Sequence, residues 1–176
     1  MNDVDFKDLV ATWKDFPTKG VLFRDINPLV RNPEPLNYLN EKLFNMCNNL
    51  QMKKIAGIES RGFIVGTLLA MRLNKGIVLI RKEGKLPGPT IKQSCSIEYG
   101  TRVMEIQNGA ILSGEKVLIA DDLLATGGTA IAAASLIEKL GGIVVGFVFI
   151  ICLNKLGGLD KLRSQGYDLK FILEYD

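Results

Sequence analysis

Residues 115–134 read EKVLIADDLLATGGTAIAAA, and the fold turns on this stretch. Lys116–Ala120 is an almost uniformly apolar run, the pattern of a strand buried on both faces in a parallel sheet covered by helices. Two adjacent carboxylates, Asp121 and Asp122, close that run, and a Thr-Gly-Gly-Thr loop without lysine follows. Beyond the loop the spacing becomes helical. Ala133, Leu136, Ile137 and Leu140 share one face, Glu138 and Lys139 lie on another, and Gly141-Gly142 forms the stop.

The same alternation extends outward. KIAGI (54–58), GIVLI (76–80) and IVVGFVFII (143–151) read as further buried strands. Leu36, Leu39, Leu43, Met46 and Leu50 mark an amphipathic helix started after the NPEP turn, and Ile64, Leu68 and Met71 mark a second helix after ESRG. SCSIEYGTRVMEI (94–106) reads as two strands broken near Gly100. Apolar strands alternating with amphipathic helices imply one α/β domain over residues 1–176, with a central, mostly parallel sheet flanked by helices. In such sheets ligands sit beyond the carboxyl ends of the strands. Here those ends carry ESRG, RKEGK and DDLLATGGT.

Composition excludes several chemistries. The chain has 176 residues, 47% of them hydrophobic and 23% charged, as in an ordinary globular protein. No apolar run reaches membrane-spanning length, and MNDVDFKDLV lacks the basic and apolar regions of a leader, so a cytoplasmic protein with no membrane partner is expected. Three scattered cysteines suit a reducing compartment. There is no histidine, so any proton chemistry falls to carboxylates, lysine, tyrosine or substrate groups. A net charge of +3 gives no case for nucleic acid. Arg81, Lys82 and Lys85 cluster, which by itself describes either solvated surface or an anion site.

A glycine loop opening a helix offers unpaired N–H groups and the positive end of the helix dipole to an anion. Thr126 and Thr129 add hydroxyls, and Gly127 and Gly128 let the backbone close in. The loop fits neither GxxxxGK[ST] nor GxGxxG, so a lone phosphate is its natural guest. A single aspartate before it would read as a helix cap. Two suit the vicinal hydroxyls of a ribose and a sugar ring that turns cationic when its C1 bond breaks.

VLIADDLLATGGTA resembles the phosphoribosyl pyrophosphate motif of the type I phosphoribosyltransferases, above all their adenine-using members. FPTKGVLFRDINPL, IAGIESRGFIVG, VLIRKEGKLPGPT and IEYGTRVMEIQNGA extend the resemblance in order along nearly the whole chain. It implies a type I phosphoribosyltransferase fold with a small N-terminal hood at about 17–30 and a mobile closing loop at about 86–102. The implied reaction joins adenine to phosphoribosyl pyrophosphate, giving AMP and pyrophosphate in a homodimer. Magnesium would be held mainly through the substrate, with no direct protein ligand. Ala125, Thr126, Gly127, Gly128 and Thr129 would hold the 5′-phosphate, and Asp121 and Asp122 the ribose hydroxyls. Ser60, Arg61, Arg81, Lys82, Lys85 and Tyr99 would face the pyrophosphate, with a cis peptide between Ser60 and Arg61. Glu98, which alone reads as a solvated strand residue, would manage the proton on adenine. Phe23 would stack on the base while Leu22 and Arg24 read its edge.

Four positions depart from the family pattern: Lys19 for a hood proline, Cys95 for a loop tyrosine, Cys152 for a strand glutamate and Gly158 for an arginine. The last two, expected near the base pocket, leave an oxo-purine (hypoxanthine, guanine or xanthine) open as the alternative base. A non-catalytic phosphoribosyl pyrophosphate sensor is the other alternative. It would need an added DNA-binding segment, for which about twenty residues before the hood leave no room.

Overall fold

The computed structural model describes residues 3–97 and 100–176. The chain divides into two compact units, Met1–Asn45 and Met46–Asp176.

In the first unit, α1 (Asp3–Asp8) precedes β1 (Ala11–Lys14) and β2 (Leu22–Asp25), which pair antiparallel with Trp13 opposite Phe23. After α2 (Asn27–Val30) comes α3 (Pro33–Cys47). This helix begins inside NPEP rather than after it, because a first helical turn leaves its N–H groups unused and so accepts both Pro33 and Pro35. It ends at Cys47, short of Leu50, whose N–H turns back to the Cys47 carbonyl at 3.0 Å. Leu39 and Leu43 are buried as the spacing required.

The second unit is built on a seven-stranded sheet of order β5-β6-β4-β3-β7-β8-β9. Its strands are β3 (Lys54–Ile58), β4 (Gly76–Lys82), β5 (Thr90–Ile97), β6 (Gly100–Gln107), β7 (Lys116–Leu124), β8 (Ile143–Leu153) and β9 (Leu169–Tyr175). β4, β3, β7, β8 and β9 run parallel, and the β5–β6 hairpin closes one edge antiparallel. Much of the segment expected as a closing loop is thus strand. The helices are α4 (Gly62–Leu73), α5 (Gly128–Lys139) and α6 (Gly158–Ser164). Neither α6 nor β9 stood out in the sequence, although LKFILEY carries strand-forming residues.

Not all of the residues that mark α4 in the sequence are buried. Ile64 and Met71 are exposed, and the helix buries Gly62, Val65, Gly66, Leu69 and Ala70. Its glycines allow close approach to the sheet: a Cβ on Gly66 would lie 2.9 Å from Ile77 Cδ1 and 3.4 Å from Gly57 Cα. The helix thus packs through glycines set beside buried Val65 and Leu69, while Ile64 and Met71 are left outside. α5 follows expectation, burying Ala130, Ala132, Ala133, Ala134, Leu136 and Ile137.

From β3 the chain crosses to β4 on one side, whereas β7, β8 and β9 build outward on the other. The crevice between the ends of β3 and β7 is the topological switch point, where open α/β sheets bind ligands.

Candidate active site

β7 does not stop at the aspartates. It runs on to Leu124 because the long strand β8 keeps pairing with it through Leu124↔Cys152. On its other side the register with β3 ends at Gly57↔Ala120. Asp121 and Asp122 therefore follow the last pairing with β3, at the switch point. Asp122 is buried, and its N–H donates to Asp121 Oδ1 at 2.8 Å. Burial, and then the neighbouring Asp122 charge, push the Asp121 carboxyl well above its usual pKa. Burial also raises Asp122, while the Arg61 guanidinium pulls the other way.

Arg61 caps the start of α4, and its Nε lies 2.6 Å from Asp122 Oδ2. The ESRG turn and the aspartate pair thus form one cluster. The cis peptide of this turn lies between Glu59 and Ser60, one bond earlier than expected. The Ser60 carbonyl already accepts the N–H of Phe63 (3.2 Å), so the Ser60–Arg61 peptide belongs to the first turn of α4. Ser60 itself is exposed.

Beyond β7, Ala125–Thr129 leads into α5. Gly127 takes the left-handed conformation (φ 79°), and Gly128 opens the helix. The N–H groups of that first turn have no acceptor within the helix, an arrangement that suits an anion. The β5–β6 hairpin comes alongside: a Cβ on Gly128 would run into the Ser96 carbonyl. Cys95, in the same strand, is buried and donates to the Arg102 carbonyl at 3.3 Å. Glu98 and Tyr99 lie outside the described residues.

The basic turn after β4 is organised by two carboxylates that the sequence reading left without a role. Glu59 accepts Arg81 Nε and the Lys82 N–H, both at 3.1 Å. Burial would raise its pKa, but these donors outweigh it and hold the carboxyl below its usual range. Buried Glu105 accepts the N–H groups of Lys85 (2.9 Å) and Leu86 (3.0 Å) and the Thr90 hydroxyl (3.2 Å). Its pKa too is lowered overall, against the effect of burial. Arg81 also donates to the Lys85 carbonyl (2.8 Å) and lies over the Phe63 ring, so within this chain it braces the turn. Lys85 is exposed and Lys82 half-buried. An acidic residue within the apolar run VMEI was the available signal for Glu105.

The expected base-reading residues sit on β2 in the first unit. Leu22 is exposed, Phe23 meets Phe16 edge to face at 5.0 Å, and Arg24 Nη1 donates to Thr12 Oγ1 at 2.7 Å. Cys152 is buried in β8 opposite Glu174. Gly158 lies against the Ala125–Thr129 loop, where a Cβ would collide with the Ala125 carbonyl, so this backbone has no room for an arginine there.

Residues 34–172 match the phosphoribosyl transferase domain family. An adenine phosphoribosyltransferase of Cenarchaeum symbiosum is 49% identical over 98% of this chain and 100% of its own length. Among solved structures, the adenine phosphoribosyltransferase of Thermoanaerobacter pseudethanolicus superposes with a TM-score of 0.95 at 41% identity, covering 99% of this chain and 100% of that one. That of Saccharomyces cerevisiae, complexed with adenine and an imino-altritol bisphosphate, gives 0.89 at 36% identity, covering 97% and 98%. With the acidic pair and amide-rich loop at the switch point of a mostly parallel sheet, this similarity over nearly the full length shows that the chain belongs to the phosphoribosyl transferase family, among its adenine phosphoribosyltransferases.

Proposed function

We propose that the chain transfers the 5-phosphoribosyl group of phosphoribosyl pyrophosphate to adenine, giving AMP and releasing pyrophosphate in purine salvage. The observation that carries this reading is the placement of Asp121, Asp122 and the Ala125–Thr129 loop together at the switch point. The adenine held by the yeast relative supports adenine as the base. In the proposed reaction an adenine ring nitrogen bonds to ribose C1 as the C1–O bond to pyrophosphate breaks, and a proton leaves the base. First-turn amides of α5 hold the 5′-phosphate. Asp121 and Asp122 accept the ribose hydroxyls and oppose the positive charge that develops on the ring. Asp122 exchanges its Arg61 contact for the sugar, and Arg61 turns to the pyrophosphate.

Ser60, Arg61, Lys82, Lys85 and Tyr99 stabilise the leaving pyrophosphate, whose charge grows as the bond breaks. Arg81 contributes mainly by shaping the turn that carries Lys85. Glu98 takes the proton role. Phe23 stacks on adenine, with Leu22 and Arg24 reading its edge.

Among the described residues no group of three or more His, Cys, Asp or Glu forms a metal cage. An adjacent carboxylate pair fits a magnesium ion that keeps its waters and is carried chiefly by substrate oxygens. There the ion would neutralise pyrophosphate charge. A homodimer in the cytoplasm completes the proposal, and the free, buried thiols of Cys47, Cys95 and Cys152 suit a reducing compartment. No helix among the described residues is long and apolar enough to cross a membrane.

Pyrophosphate release with phosphoribosyl pyrophosphate and magnesium, measured separately with adenine, hypoxanthine, guanine and xanthine, tests the reading. Release with adenine alone is expected. An oxo-purine in its place would reassign the base, and silence from folded protein with all four would overturn the transferase.

A further inference from the structure

We propose that Lys161 is a positioning residue for the 5′-phosphate, acting with the Gly157-Gly158 turn through the backbone of the phosphate loop. The inference rests on reading Ala125–Thr129 as that loop. A backbone anion site needs its N–H groups toward the anion and its carbonyl oxygens neutralised or turned away, because a bare carbonyl dipole opposes a dianion. Between the end of β7 at Leu124 and the start of α5 at Gly128, three carbonyls need partners. The Gly127 carbonyl accepts the Ile131 N–H at 2.9 Å, as the first bond of the helix. The other two are met from α6. Gly158 N–H donates to the Ala125 carbonyl at 3.0 Å, and Lys161 Nζ donates to the Thr126 carbonyl at 3.2 Å.

The fit is close. A Cβ on Gly158 would run into the Ala125 carbonyl and come within 2.7 Å of Gly127 N. A Cβ on Gly127 would lie 3.1 Å from Gly158 Cα. The two backbones touch with no side chain between them, so the position of α6 sets the shape of the loop. The Lys161 N–H bonds the Gly157 carbonyl at 3.1 Å, one turn along, which brings its ammonium to the back of the loop. That ammonium ties off an unfavourable carbonyl and adds positive charge behind the anion.

The reverse reaction separates the two anion sites, with AMP and pyrophosphate varied independently. Lys161→Gln is expected to raise the KM for AMP about three- to tenfold, the loss of one exposed charge-assisted hydrogen bond. The KM for pyrophosphate and kcat stay near wild type, and Lys161→Arg restores most of the loss. Gly158→Ala gives the same split with a larger rise; should it fail to fold, the Lys161 pair decides. Equal changes in both KM values, no change in either, or no rescue by arginine would overturn the proposal. Thr129→Ala separates the failures. If it leaves the KM for AMP unchanged, the phosphate-loop reading falls and this inference with it. If Thr129→Ala raises that KM and Lys161→Gln does not, the inference alone falls.

Discussion

Asp121 and Asp122 occupy positions where charge opposes folding and serves the proposed chemistry. Both carboxyls have raised pKa values, Asp121 the more strongly, through burial and then through its charged neighbour. A carboxyl with a raised folded-state pKa favours the fold while protonated, and that contribution is lost as pH rises through the folded value. Asp121→Asn removes this liability and nearly preserves shape. The variant should melt at a higher temperature than wild type at pH 7. The advantage should shrink as pH falls toward the ordinary carboxylate range, where wild type carries the proton as well. Its kcat should fall by about 10²–10³, as expected for removing one group that stabilises developing charge. Melting curves across pH and steady-state rates check both halves; an asparagine variant no more stable at pH 7 would mean the pair is not strained. Glu59 and Glu105 have the opposite character. Their hydrogen bonds lower the pKa in each case, so what they add to stability is present at neutral pH and lost in acid.

The junctions between elements are made largely by glycine and backbone, and that limits what the sequence displays. Gly62, at the start of α4, faces β7 so closely that a Cβ would lie 2.6 Å from the Ala120 carbonyl and 2.8 Å from Asp121 Oδ1. Gly62→Ala must therefore push α4 from β7 or displace Asp121, and should destabilise the protein by about 1–3 kcal/mol as an overpacked site does. Urea unfolding measures that loss, and a parallel fall in activity would link it to Asp121. Normal activity and stability would mean the junction relaxes freely. The same feature explains what could be read beforehand. Uniform apolar runs located β3, β4, β7 and β8, and DDLLATGGT located the crevice, because burial, and paired carboxylates followed by glycines at a strand end, leave direct marks on residue type. The buried face of α4 was not legible, because Ile64 and Met71 mark the helix period from its exposed side, whereas Gly62 and Gly66 pack it beside Val65 and Leu69. The contact of Gly158 with Ala125 was not legible for a related reason: a glycine shows that space is scarce without showing which backbone occupies it. β7 continues past its aspartates because β8 pairs with it there, and a partner strand is invisible in local pattern.

Assembly is where the basic turn acquires its proposed meaning. Arg81 is engaged inside its own chain by Glu59 and the Lys85 carbonyl, and Glu105 fixes the Lys85 backbone while the residue stays exposed. A rigid turn presenting an exposed ammonium suits a site on a second copy of the chain, and in a two-fold dimer such a contribution is reciprocal. The proposed homodimer then makes a quantitative prediction. Lys85→Ala and Asp121→Asn should each give nearly inactive dimers. In a mixed dimer, one site collects both defects and the other receives an intact Asp121 from one chain and an intact Lys85 from its neighbour. Equal amounts of the two variants, unfolded and refolded together, should recover about a quarter of wild-type activity, because half of the dimers are mixed and each has one intact site. Refolding the variants separately before mixing provides the baseline. Absence of recovery, with mixed dimers demonstrated by differential tagging, would assign Lys85 to the site of its own chain. A light-scattering mass of a single chain for the active wild type would remove the shared site altogether.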